Sequence, residues 1–149
     1  QGPVGEQKKS IETPYSDLTT VSEPPKTEDF QRKGSLVKPP KGPVAKVKMI
    51  GFRAMPDAAR VSLQLSHPAG VGFDWEDETT VRISFKPAII TNQMHLYPLI
   101  TEAFQTSVLR IKPDWSPRNK EVSLTIFLRK RTPFHLLAEG TNYFVDFDK

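Results

Sequence analysis

Hydrophobic residues in this chain recur at every second position, and they do so four times over. Val61, Leu63 and Leu65 alternate with Ser62, Gln64 and Ser66. Val81, Ile83 and Phe85 alternate with Arg82, Ser84 and Lys86. Val122, Leu124, Ile126 and Leu128 form a third run, and Tyr143, Val145 and Phe147 a fourth. A period of two places alternate side chains on opposite faces of an extended chain, so each run reads as a strand with one buried face. Short strands separated by Pro, Gly and Asp/Asn turns point to an all-β sandwich or barrel.

The runs also repeat. A shift of 61 residues carries Val47 onto Val108, Ile50 onto Ile111 and Pro56 onto Pro117, and lays Val61-Ser62-Leu63 on Val122-Ser123-Leu124. With one residue added, Val81, Ile83 and Phe85 fall on Tyr143, Val145 and Phe147. Internal self-similarity of this kind indicates a duplicated unit. Two such units, each a small sheet with one apolar face, are expected to pack face to face as a β-sandwich of two related sheets. The stretch from Ala88 to Ser107 must then carry the chain from one sheet to the other. A strand is expected near Ala88–Thr91. Because Pro98 interrupts its helical spacing, at most one short helical turn is expected, around Leu99–Phe104.

Composition sets the boundary of the domain. Half of the fourteen prolines lie in the first 45 residues, a stretch with one Phe, one Tyr and no Trp. So little apolar surface cannot offset the entropy of ordering the segment. Residues 1–43 therefore read as a Pro-rich disordered linker and residues 44–149 as the folded domain. The opening Gln1-Gly2-Pro3 looks like the remnant of a vector protease site, which implies a signal peptide or anchor removed upstream; a natural disordered terminus is the plainer account. No run of about 18 apolar residues occurs, as a membrane-crossing helix requires. With no cysteine there is no disulfide framework and no thiolate metal site. A formal net charge of +4 is low for a nucleic-acid binder, so no nucleic-acid partner is expected.

No signature of catalysis emerges, and neither a cofactor nor a metal is expected. His67, His95 and His135 lack metal-ligand spacing. Asp74, Glu76, Asp77 and Glu78 crowd one turn around Trp75 and read as a solvated turn; a carbohydrate-active enzyme using this cluster is the rival interpretation. The binding candidates are residues that alternation turns outward. Phe127 and Phe144 are outward aromatics, suited to a sugar ring or a protein anchor unless the crossing segment covers them. Arg129-Lys130-Arg131, joined by Arg110 and Lys112, could pair with carboxylates, or form a solvated strand end. Trp115, in the turn Pro113-Asp114-Trp115-Ser116-Pro117, is either a binding platform or a plug on the end of the sandwich.

The order of these elements resembles a known family. An opening Val47-Lys48-Met49-Ile50-Gly51-Phe52 strand, a turn, and a long Arg60-Val61-Ser62-Leu63-Gln64-Leu65 strand are followed by a proline, a short Phe-containing strand and Val81-Arg82-Ile83-Ser84-Phe85; the set then repeats. Over roughly residues 44–148 this is similar to the AMIN domain, the N-terminal module of bacterial N-acetylmuramoyl-L-alanine amidases, also found in type IV pilus secretins. The resemblance implies a non-catalytic β-sandwich in the bacterial periplasm that localises a protein or complex by binding peptidoglycan or envelope machinery. On that view the leader is a tether, and contact with a membrane is made only through an upstream anchor. The alternative is a protein-binding scaffold of a pilus or secretion assembly without glycan affinity.

Overall fold

The computed structural model describes residues 32–148 and the backbone of 19–22. The alternating runs are strands, and the strands form two sheets. In chain order the elements are β1 (Thr19–Ser22), β2 (Lys33–Val37), β3 (Ala45–Ala54), β4 (Ala58–Leu65), β5 (Gly70–Asp77), β6 (Thr80–Lys86), β7 (Ala88–Ile89), a 3-10 turn (Gln93–Leu96), β8 (Leu99–Ile100), β9 (Val108–Ser116), β10 (Glu121–Leu128), β11 (Phe134–Glu139) and β12 (Asn142–Asp148). Sheet A has the order β2-β5-β6-β10-β9-β8 and sheet B the order β1-β11-β12-β4-β3-β7. The all-β sandwich expected from the alternation is what forms.

The halves do not form one sheet each, as the repeat alone suggests. Each half places its first hairpin in one sheet and its second hairpin in the other. Sheet A joins β5–β6 of the first half to β9–β10 of the second, and sheet B joins β11–β12 to β3–β4. The physical reason lies at the strand edges. A lone two-stranded hairpin is marginal, and its inner edge carries unpaired N–H and C=O groups. Pairing β6 with β10, and β12 with β4, removes those edges and gives each sheet four central strands.

The repeat is visible in the strand order, since β5-β6-β10-β9 corresponds to β11-β12-β4-β3 under the 61-residue shift. It is visible in detail too. A β-bulge interrupts β3 between Val47 and Met49, and another interrupts β9 between Val108 and Arg110. The junction between halves differs by an even step: Ile83 faces Leu124 in sheet A, whereas Tyr143 rather than Val145 faces Leu63 in sheet B. A two-residue slip keeps every inward side chain inward, where a one-residue slip would expose the whole face.

Between the sheets lies one core. Trp75, Phe85, Phe134 and Phe147 are fully buried. Across the sandwich Trp75 and Phe134 stand 5.9 Å apart and Phe85 and Tyr143 5.5 Å, while Phe134 and Phe147, partners within sheet B, stand 5.8 Å apart. The Tyr143 hydroxyl accepts from the Ala69 N–H at 2.8 Å and donates to the Ala69 carbonyl at 3.1 Å. It thereby holds the loop by which the first half crosses from sheet B to sheet A.

The crossing segment departs from expectation in one respect. Its strand is present at Ala88–Ile89, paired parallel to β3. The helical turn falls earlier than expected, at Gln93–Leu96, where Asn92 caps it by accepting from the Met94 N–H. Pro98 drives Tyr97 into extended backbone (ψ 134°) and ends the turn there. Leu99 and Ile100, expected in the turn, instead pair with the edge of β9.

The leader is also corrected at two places. Lys33–Val37 adds to the edge of β5 and Thr19–Ser22 to the edge of β11. Arg32 fixes the first of these by donating from Nε and Nη2 to the Trp75 carbonyl at 3.0 and 2.8 Å. Pro39 then lies so close to Gly70 that a Cβ on Gly70 would sit 2.5 Å from the Pro39 nitrogen. Strand addition is driven by main-chain hydrogen bonds, so a count of apolar side chains gives no sign of it. The rest of the linker expectation, including the vector-like start, falls on residues 1–18 and 23–31 and lies outside the described residues.

Two outcomes test this packing. Gly70→Ala should lower stability by about 1–3 kcal/mol and speed amide exchange across residues 33–37; unchanged exchange there would contradict the Pro39 contact. Tyr143→Phe should cost about 1–3 kcal/mol by leaving the buried Ala69 amide without its acceptor, read as a shift in the urea midpoint at constant slope.

Candidate functional site

Alternation on four adjacent strands turns a polar surface outward from sheet A. Asp74 and Glu76 come from β5, Arg82 and Ser84 from β6, Ser123, Thr125 and Phe127 from β10, and Arg110, Lys112 and Asp114 from β9. These strands cradle an open groove of about 440 Å³, with Glu76, Arg82, Lys112, Trp115, Thr125 and Phe127 among its lining. The groove spans the junction between the halves, since β5 and β6 belong to one and β9 and β10 to the other.

One interaction organises its second-half side. Arg110 and Phe127 are directly opposed across β9 and β10, and the Arg110 guanidinium lies 4.1 Å from the centre of the Phe127 ring. Stacking fixes both side chains, so neither has to be immobilised when a ligand arrives. Across the groove Arg82 pairs with Glu76 at 3.0 Å, both side chains being well exposed. The surface offers a flat ring, guanidinium and ammonium donors, and the hydroxyls of Ser84, Ser123 and Thr125. Glu76, Asp114 and Glu121 line the same groove, so the combination suits a ligand rich in hydroxyl groups, with Lys112 and the stacked Arg110 as the partners for a carboxylate.

Of the six sequence candidates, Phe127 and Trp115 line the groove, and Arg110 joins them only through its stack on the Phe127 ring. Trp115 is the penultimate residue of β9 rather than part of a loop, packs in part against the core and lines the groove. It is both plug and lining. Phe144 lies on the opposite face of the sandwich, on sheet B, with the Arg60 guanidinium 4.6 Å from its ring centre. Arg60 also grips Asp146 through two hydrogen bonds of 2.8 and 2.9 Å, and the Asp146 side chain is 1% exposed. The two outward aromatics therefore belong to separate surfaces. Arg129 follows β10 and donates to the carbonyls of Thr106 and Glu102, stapling the crossing segment. Arg131 lies 3.8 Å from Glu78 at the β5–β6 turn. Neither arginine lines the groove.

The acidic cluster is divided in the same way. Asp77 accepts from the Thr79 N–H at 2.8 Å and from its hydroxyl at 3.2 Å, closing the β5–β6 turn. The backbone bond from Thr79 is the main reason its carboxyl is held below the ordinary value of 3.8. In the corresponding β11–β12 turn, Gly140 achieves the reversal through a positive φ of 64°. Among the described residues no group of three or more His, Cys, Asp or Glu side chains could hold a metal ion, and no helix is long and apolar enough to cross a membrane.

The residue not singled out from sequence is Arg82. Its outward phase was legible, but its place beside Thr125, opposite it in the β6–β10 pairing, follows only from pairing between the halves. No family model matches the chain, and neither the curated proteins nor the solved structures contain a match to it.

The Asp77 geometry sets a pH dependence. A carboxyl whose folded value is depressed adds stability above its unfolded value, and that contribution is lost as the pH falls through the folded one. Comparing wild type with Asp77→Asn, the stability difference should be constant from neutral pH down to about 5 and shrink below about 4. A difference that grows on acidification would contradict the assignment.

Proposed function

We propose that this protein is a non-catalytic, AMIN-like periplasmic module that localises a partner by binding peptidoglycan through the outer face of sheet A. The observation that carries the reading is the Arg110–Phe127 stack at an open, polar groove. A sugar ring can pack against the exposed side of the Arg110–Phe127 pair while guanidinium and ammonium groups meet the carboxylates of the peptide stems. The duplicated half, with its repeated bulge and two related sheets, supports the AMIN resemblance. A binding role rather than a catalytic one is supported by the engagement of Glu76 with Arg82 and of Asp77 with Thr79.

The test is co-sedimentation with purified sacculi. The chain should pellet at low salt, and Arg110→Ala or Phe127→Ala should weaken pelleting by about five- to tenfold, the loss of roughly 1 kcal/mol or more expected of a central contact. Phe144→Ala, on the opposite face, should leave it unchanged. No pelleting of the parent chain at low salt contradicts the glycan reading and leaves the protein-binding scaffold of a pilus or secretion assembly in its place.

A further inference from the structure

The correspondence between the sheets breaks at one edge. On β9, the residues just past the bulge are paired antiparallel by β8: Arg110 with Ile100, and Ile111 with Leu99. The corresponding residues of β3, past the corresponding bulge, are Met49 and Ile50. Among the described residues the outer edge of β3 is paired only at Ala45 and Lys46, by β7. Beyond these two residues no strand among the described residues pairs with the outer edge of β3 from Val47 to Ala54, and the 3-10 turn packs near it without joining the sheet. The bulge is no barrier to pairing, since its copy on β9 accepts β8.

What surrounds this edge is both apolar and basic. Met49 is 50% exposed, and Phe104, also 50% exposed, lies 5.5 Å from Phe52 of β3. Lys46, Lys48 and Arg53 are exposed along the same strand, which carries no acidic residue. A second copy of the chain fits poorly, because β3 edges meeting about a twofold axis would bring three cations against three cations. The leader strands already occupy the other side of the sandwich, on β5 and β11.

We propose that the β3 edge, centred on Met49–Arg53, docks an extended segment of another protein that alternates apolar and acidic residues. It adds antiparallel to sheet B as β8 adds to sheet A. Main-chain bonds supply the pairing, and alternation sets the specificity. Apolar residues lie with Ile50 and Phe52 beside Phe104, and acidic ones lie on the outer face beside Lys48 and Arg53. This site is separate from the sheet A groove and does not rest on the glycan reading.

The probe is a fluorescently labelled synthetic peptide of about eight residues, a typical strand length, alternating valine and glutamate. It is titrated into the full chain at low salt by anisotropy and followed by amide exchange. Saturable binding is expected, with exchange slowed within residues 47–54. The double variant Lys48→Glu/Arg53→Glu should bind at least tenfold more weakly and should instead take the valine–lysine peptide, while Phe127→Ala binds as the parent does. The valine–glutamate peptide N-methylated at alternate residues should not bind, which separates strand addition from charge attraction. Failure of the parent to bind overturns the proposal. So do protection falling on β1, β2 or sheet A, unaltered binding by the charge-reversed variant, and dimerisation of the chain through β3.

Discussion

The pairing of β6 with β10, and of β12 with β4, is the constraint from which the rest of this structure follows. Each half of the chain contributes two hairpins, and neither hairpin has an inner edge it can leave open. Crossing the halves satisfies all of those edges at once and sets the apolar faces of two four-stranded sheets against each other. Val81, Ile83 and Phe85 of one half thereby share a sheet face with Val122, Leu124 and Ile126 of the other, all fully buried. Tyr143 binds the crossover loop at Ala69, so the second half also fixes the path of the first.

The candidate site inherits this origin. Its ring-and-guanidinium stack belongs to β9 and β10, while Arg82, Glu76 and Ser84 belong to β5 and β6. Neither half contains the groove. The outer edges receive short additions that cost little sequence: β1 and β2 from the leader, and β7 and β8 from the crossing segment, which pair only Ala45–Lys46 of β3 and Arg110–Ile111 of β9. Pro39 against Gly70, Arg32 on the Trp75 carbonyl, and Leu36 and Val37 against the core hold the leader strand in place.

These distinctions explain what could be read from the residues alone. Alternation marks which side chains of a strand face inward, and it does so for the four runs that became β4, β6, β10 and β12. The offset joining Val47 to Val108 also joins two bulges, a feature that no hydrophobic pattern announces. Alternation is silent, however, about which strand lies alongside. Phe127 and Phe144 were both correctly turned outward, yet they sit on opposite faces because β10 and β12 lie in different sheets. Leader strands escaped notice because main-chain pairing leaves no side-chain pattern. In sequence Arg129 reads as either a ligand for carboxylates or part of a solvated strand end, but a guanidinium beside a loop serves equally well as a staple on carbonyls, and sequence does not distinguish these uses.

The interlocking of halves is tested most directly by dividing the chain in the crossing segment. Residues 1–90 and 91–149, produced separately, should each give poorly dispersed amide NMR spectra and no cooperative thermal transition. Mixed in equal amounts, they should restore the dispersed spectrum of the intact chain. A dispersed spectrum and a cooperative transition from either piece alone would mean that a half folds on its own sheets, contradicting the account.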